Sequence, residues 1–439
     1  MPARVYPRAY PLKSANRAPA SAGRRPGFAS LAAPMSTAAD PLSSPSLRRF
    51  LAARFCASLS YQIVSVAVGW QVYALSGSAL DLGLIGLAQF LPMMCLTLVV
   101  GHVADRYDRR RIVAICMALE ALATLVLAAA ALHGFGGTAL IYTTVIVMSS
   151  ARAFEAPTLP TLIPAIVPRD GIPRATALSA SSNQIAQIAG PALGGIGYGI
   201  GTGWVYCAAS LIYGVGLVSI LRVRTQRPPA HKAPTTWHTL FAGIRFIASR
   251  RILLGTLSLD LFAVLLGGAT ALLPVFAKDI LDAGPWALGA LRAAPALGAA
   301  LTSLALARLT MGEHVGRMLF GALMLFGIAT VAFGLSTSIP VSLAALAVLG
   351  AADSINVVVR SSLVQLHTPD EMLGRVSAVN TLFVGASNQL GEFESGLTAA
   401  LLGTVPAVVL GGLGTMAVAG LWMWWFPELR KLKTLAPGP

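Results

Sequence analysis

The sequence predicts an all-α integral membrane protein: twelve transmembrane helices in two pseudo-symmetric six-helix halves. Three observations carry that expectation. The chain is short of charge, its apolar residues fall in long runs, and its second half repeats features of its first. Of 439 residues 56% are hydrophobic and 11% charged, and mean hydropathy is +0.72. A soluble domain is about a quarter charged, so the shortage of charge decides the class. The runs do not alternate in polarity, which favours helices over a barrel.

A helix needs about 20 mostly apolar residues to cross the hydrocarbon core. The first segment, Phe50–Leu75, follows Arg48 and Arg49 and stops before Ser76-Gly77-Ser78. The second, Leu80–Val103, ends in a charged loop, and the third, Ile112–Leu132, starts after Arg109-Arg110-Arg111 and stops before His133-Gly134. Ala139–Leu159 lies between Gly136-Gly137 and Pro160; Ala175–Ile200 lies between Arg174 and Gly201; Val205–Leu221 ends on Arg222. The second half supplies Ile252–Phe276, Ala287–Ala307, Met318–Leu335, Val341–Val359, Val376–Leu402 and Val405–Phe426.

Lys and Arg set the orientation. With the N-terminus in the cytoplasm, the inner pieces hold 28 of the 32 basic residues, Arg360 among them. The outer loops hold one, Lys278, and Arg54, Arg152 and Arg292 lie within segments. That asymmetry places both termini in the cytoplasm of a plasma (inner) membrane protein. It also accounts for a sequence pI near 10.3 without nucleic acid as a partner. Residues 1–46 are rich in Pro, Ala, Ser and Arg, with one acid, Asp40, and are expected to be disordered. Their Arg-rich, acid-poor character is that of a transit peptide, but a start at Met35 is the preferred reading. The halves are then 47–221 and 252–427, joined by the linker 222–251 and followed by a cytoplasmic tail, 428–439. In the linker, Trp237, Leu240, Phe241, Ile244 and Ile247 recur at helical spacing after Thr235 or Thr236, as in an amphipathic helix on the membrane face.

The repeat has an offset of 201 residues: Leu162, Pro168 and Arg174 fall on Leu363, Pro369 and Arg375, Gly190 on Gly391, and Gly195 on Gly396. A parallel repeat implies halves related by an axis along the membrane normal, with a substrate path between them.

Three motifs stand out against this frame. The loop after the second segment reads Gly101-x-x-x-Asp105-Arg106-x-x-Arg109-Arg110. The fourth segment has Arg152 and then Glu155-Ala156-Pro157. The fifth has Gly190-Pro191-x-x-Gly194-Gly195. Together they resemble the signatures of the major facilitator superfamily, and the resemblance covers 47–426. The fifth-segment motif is similar to that of its proton antiporters. Gln71–Ser78 and Thr368–Arg375 resemble its enterobactin-exporter branch, which includes drug exporters. The resemblance implies that Asp105 acts as a latch on the N-terminus of the eleventh segment, where the helix dipole is positive, and that Arg109 reaches Glu155. Two positions depart from the pattern. Asp108 stands where glycine is usual, and a local ion pair with Arg109 would hold the turn; Ala186 replaces the motif's first glycine.

Ionisable residues inside a membrane face a cavity or one another. Arg152 and Glu155 share a helix face, and their repeat equivalents are Asp353 and Asn356. Arg152 therefore either pairs with Asp353 across the path or only with Glu155. Asp260 lies near the midplane and is the first candidate for proton coupling, paired with Arg292. Glu392 and Glu394 are about 200° apart on their helix, so one faces the path and the other a neighbouring helix. Asn183, Gln184 and Gln187 give the fifth segment a polar face. The four cysteines fall in apolar segments and read as small buried hydrophobes. No metal-ligand spacing, nucleotide-binding loop or nucleophile–base arrangement is present, so no cofactor and no enzyme activity are expected. The expected protein is a monomeric secondary transporter in the lipid bilayer, exporting a small amphipathic or hydrophobic molecule, drug- or siderophore-like, in exchange for protons. Proton-coupled import on the same fold, or a non-transporting receptor or assembly protein, is the alternative.

Overall fold

A computed structural model describes residues 44–225, 237–308 and 314–435, without the side chains of 98, 101, 102, 104, 105 and 237–240. The expected disorder of the N-terminus, the start at Met35 and the cap at Thr235 or Thr236 fall outside the described residues. So do the side chains of Gly101 and Asp105.

The described residues form six long helices in each half, a shorter linker helix over Trp237–Ser249 and no strand. The first half holds α1 (Pro45–Ser76), α2 (Ala79–Arg106), α3 (Arg109–His133), α4 (Thr138–Thr158), α5 (Ile172–Ile200) and α6 (Thr202–Leu221). The second holds α7 (Arg251–Leu266, continued irregularly to Ile280), α8 (Pro285–Arg308), α9 (Val315–Gly334), α10 (Ile339–Leu366), α11 (Asp370–Leu402) and α12 (Thr404–Trp425). Nine of the described helices are both long and apolar enough to cross a membrane. The other three, α4, α5 and α11, have the length, at 21, 29 and 33 residues, but are more polar. These are the helices that bear Arg152 and Glu155, the glutamines, and Glu392.

Local signals explain several ends. α1 starts at Pro45 after Ser44, whose hydroxyl accepts from the Leu47 N–H, and stops at Gly77 with φ +63°. The helix therefore begins inside the stretch expected to be disordered. Asp108 caps α3, its carboxylate accepting the Arg110 N–H at 2.8 Å. A cap accounts for the carboxylate where glycine is usual. α10 continues to Leu366, so Arg360 is a buried helix residue and not part of a cytoplasmic loop. That lowers the inner count of basic residues by one without changing its sign. Cys95 is exposed, contrary to the expectation of burial, while Cys116 is buried.

The halves meet along two seams, α2 against α11 and α5 against α8. Apolar burial contributes little between helices in lipid, so close backbone packing at small residues is what brings them together. At the side away from the linker, a Cβ on Gly195 would lie 2.5 Å from the Pro285 carbonyl and 2.9 Å from the Gly289 Cα. A Cβ on Gly396 would lie 2.5 Å from the Gly83 Cα. Gly195 and Gly396 are equivalent positions of the repeat, so the same glycine crossing closes both seams. The Tyr73 hydroxyl adds a third tie, donating to the Asp279 carboxylate, with Lys278 5.4 Å from the Tyr73 ring. Towards the linker side α5 and α8 present Thr176, Ala177, Ala180 and Ser181, and Leu301, Ser303, Leu304 and Ala305, as exposed residues. The backbone-close crossings thus lie at the far side, and the exposed stretch of this seam lies towards the linker side.

Gly195→Leu is expected to hold the far side open. A cysteine placed there should label faster with a membrane-impermeant maleimide than in the parent. Unchanged labelling would show that the glycine crossing does not close the far side.

Candidate functional site

A cavity of about 480 Å³ lies between the halves, within the size range of small-molecule sites. Its walls come from both halves, and each is placed by a local feature. α7 breaks at Gly267–Gly268, where a Cβ on Gly268 would overlap the Gly391 carbonyl. The break turns Gly267, Thr270 and Pro274 to the cavity. Irregular backbone at membrane depth is tolerated where it lines such a space. Val64, Val68, Leu82, Ile85, Met148 and Phe326 supply apolar wall. Gln184 and Gln187 of α5 line it too, with Gln184 Nε2 donating to the Ala296 carbonyl at 3.1 Å.

Three charged groups reach this space: Arg292, Asp353 and Glu392. Arg292 donates to the Ser65 hydroxyl at 2.5 Å and acts electrostatically on Glu392. Glu392 sits against α2, where a Cβ on Gly86 would come within 2.8 Å of its own Cβ. Glu392 occupies the repeat position of Pro191, and both line the cavity. Glu394 is not part of the lining and accepts from Thr398 at 2.8 Å. The two glutamates thus face apart, as their spacing requires.

Asp260 lies elsewhere. Its carboxylate meets Arg360 at 2.9 Å, both side chains 5% exposed, and accepts from Asn356 Nδ2 at 2.7 Å. Arg360 extends to Asn380 at 3.1 Å, so the network ties α7, α10 and α11 together. The expected pairing of Asp260 with Arg292 is wrong: depth along two helices was matched, but direction around them was not. Arg152 pairs with its helix neighbour Glu155 at 3.9 Å and lies 3.8 Å from the Tyr61 ring centre. That is the local alternative, one layer behind the cavity, and not the bridge to Asp353.

Sequence reasoning missed Glu120. It is fully buried in α3, and its carboxyl group meets that of Glu155. Glu155, Arg152 and Tyr213 are its electrostatic neighbours, and Arg54 acts on Glu155. An ionisable residue in the middle of an apolar segment was the available signal. Of the loop motif, Arg106 ends α2, Arg109 begins α3, and Arg110 donates to the Val223 carbonyl at 2.8 Å. The start of α11, where the latch is expected to dock, has Asp370 and Glu371 in its first turn. Gly190 and Gly194 serve packing: a Cβ on either would strike α1 at Gln62 or Ile63.

The family whose description is transmembrane secretion effector matches residues 36–437. Enterobactin exporter EntS of Citrobacter koseri is 25% identical over 400 residues, covering 90% of this chain and 95% of its own. The protein of the same name from Shigella boydii is 24% identical over 398 residues, covering 90% and 94%. Among solved structures, a bacterial homologue of the human lysosomal transporter Spinster, inward-facing and unoccupied, superposes with a TM-score of 0.70 at 14% identity, covering 89% of this chain and 99% of that one. A POT family transporter in complex with 5-aminolevulinic acid gives 0.70 at 12% identity, covering 88% and 96%. At such identities these structures speak for the fold alone.

Proposed function

Because this chain belongs to the transmembrane secretion effector family of major facilitator transporters, we propose that it exports a small amphipathic or hydrophobic compound in exchange for protons. The observation that carries this reading is the cavity between the halves: apolar walls, and Arg292, Asp353 and Glu392 reaching into it. Apolar walls suit a compound with little charge, and the few polar groups would orient it. The positive-inside bias supports a cytoplasmic linker side, so the exposed stretch of the α5–α8 seam would admit cargo from the cytoplasm.

Proton coupling follows from competition for the same groups. An ionised Glu392 is attracted to Arg292, and a proton on it removes that attraction. Substrate and proton then alternate at one site, and each return of the empty carrier takes protons inward. Asp353 and Glu392 are the carriers in this scheme. Asp260, satisfied by Arg360 and Asn356, holds α7 to α10 instead. Arg152, Glu155 and Glu120 form a charged layer behind Tyr61 that would move with α4. Asp105, in the last turn of α2, remains the proposed latch on α11.

The test is efflux from a strain lacking its own pumps, over enterobactin, macrolides and cationic dyes. Expression should lower accumulation of at least one of these several-fold. No change for any compound, with the protein confirmed in the membrane, would contradict export of this substrate class.

A further inference from the structure

The end of the chain does not trail away as a free tail. After α12, Pro427–Arg430 make a short helical turn. The chain then runs back over the start of α9: Lys433 O accepts from the His314 N–H at 2.9 Å, and Leu432 O from the Gly316 N–H at 3.0 Å. Those carbonyls satisfy N–H groups that no side chain caps. A Cβ on Gly316 would overlap the Leu429 carbonyl, so this packing needs glycine there.

The result is a cleft of about 760 Å³ between α9 and α12 at the linker side. Its rim is cationic: Arg317, Arg430, Lys431 and Lys433, with His314, are exposed and line it. Among the described residues no acid lines it. Among the described residues none of the four side chains has an ion pair or hydrogen bond, and the adjacent Glu428 is engaged with Arg251 at 3.5 Å. The floor is apolar. Phe320, Gly321 and Met324 of α9 and Met423 of α12 form it, and Gly321 leaves open space where a side chain would stand. Below them on the same face of α9, Ile328 is 53% exposed. Trp424 and Trp425, exposed at 78% and 61%, end α12, as aromatic residues do at a bilayer interface.

The corresponding place in the first half differs. There Arg49 donates to the Arg222 carbonyl at 2.9 Å and Arg110 to the Val223 carbonyl at 2.8 Å. Cations at the starts of α1 and α3 are thus spent on the backbone after α6. In the second half they are left for an external anion.

We propose that this cleft holds one anionic phospholipid, with its phosphate among Arg317, Arg430, Lys431 and Lys433 and an acyl chain along Gly321 and Met324. A soluble anion would need only the rim. A floor that is apolar, notched by glycine and continuous with the lipid-facing side of α9 fits a molecule with a tail. Basic side chains near an anionic leaflet each contribute an attraction that corresponds to about a fivefold change in binding.

The experiment uses the full chain, purified and delipidated, with an equal mixture of phosphatidylglycerol and phosphatidylethanolamine, read by native mass spectrometry. The parent should retain one phosphatidylglycerol in preference. Arg317→Gln with Lys433→Gln should lower that retention by more than tenfold. Gly321→Leu, which fills open space and leaves every cation in place, should lower it as well; this keeps the test decisive if the charge variant does not fold. Equal retention of the two lipids by the parent would overturn the proposal. So would displacement of the lipid by glycerol phosphate at equal concentration, since a headgroup would then suffice. Retention unaffected by Gly321→Leu would remove the acyl slot and with it the proposal.

Discussion

Glu392→Gln is expected to abolish gradient-driven export while leaving substrate exchange across the membrane. Glutamine keeps the size of the side chain and its fit against Gly86, so the cavity should retain its shape. What it removes is the group that alternates between a charge facing Arg292 and a neutral acid. Driven transport should fall at least tenfold, equivalent to about 1.4 kcal/mol in the driven step. Counterflow of labelled against unlabelled substrate needs no net proton movement and should stay within about twofold. Proteoliposomes report both quantities on one preparation. Loss of both together would mean that Glu392 holds substrate only; retention of both would move coupling to Asp353.

Asp260→Ala should have the largest effect on stability. It leaves the Arg360 guanidinium buried beside an empty place, with its hydrogen bond to Asn380 and the more distant field of Asp353. Removing one partner of a buried ion pair costs about 3–5 kcal/mol, because the remaining charge is uncompensated. Thermal unfolding in detergent should therefore shift well below that of the parent. Replacing both partners together, Asp260→Leu with Arg360→Met, should recover most of the loss, since no charge is left behind. A single variant as stable as the parent would show that the pair does not hold α7 to α10.

The membrane class, the two halves and the register of the repeat were legible because they rest on hydropathy, on the placement of Lys and Arg, and on glycines that must sit at crossings. Gly195 and Gly396 are the clearest case: aligned by sequence, they make equivalent contacts in opposite seams. Side-chain partnerships were less legible. Arg360 reads as a loop residue because a charge ends an apolar run, and nothing local reveals that Asp260, 100 positions earlier, satisfies it. The pairing of Asp260 with Arg292 failed because depth is a one-dimensional quantity and the break at Gly267–Gly268 is not visible as such. Asp108 and Glu120 could have been read. An aspartate directly before a helix is a cap signal, and a lone glutamate within an apolar span needs a reason. The return of the chain end onto α9 had no sequence signature at all, since it is made by backbone carbonyls.

Under the proposed function, cargo leaves the cytoplasm in exchange for protons through the cavity between the halves. Inverted membrane vesicles test it most directly, with a substrate from the efflux panel and an imposed pH gradient. Their lumen corresponds to the outer side. An acidic lumen should drive accumulation inside the vesicles, and nigericin should abolish it as the gradient collapses. Accumulation that persists unchanged without the gradient, or that requires an alkaline lumen, would contradict proton-driven export.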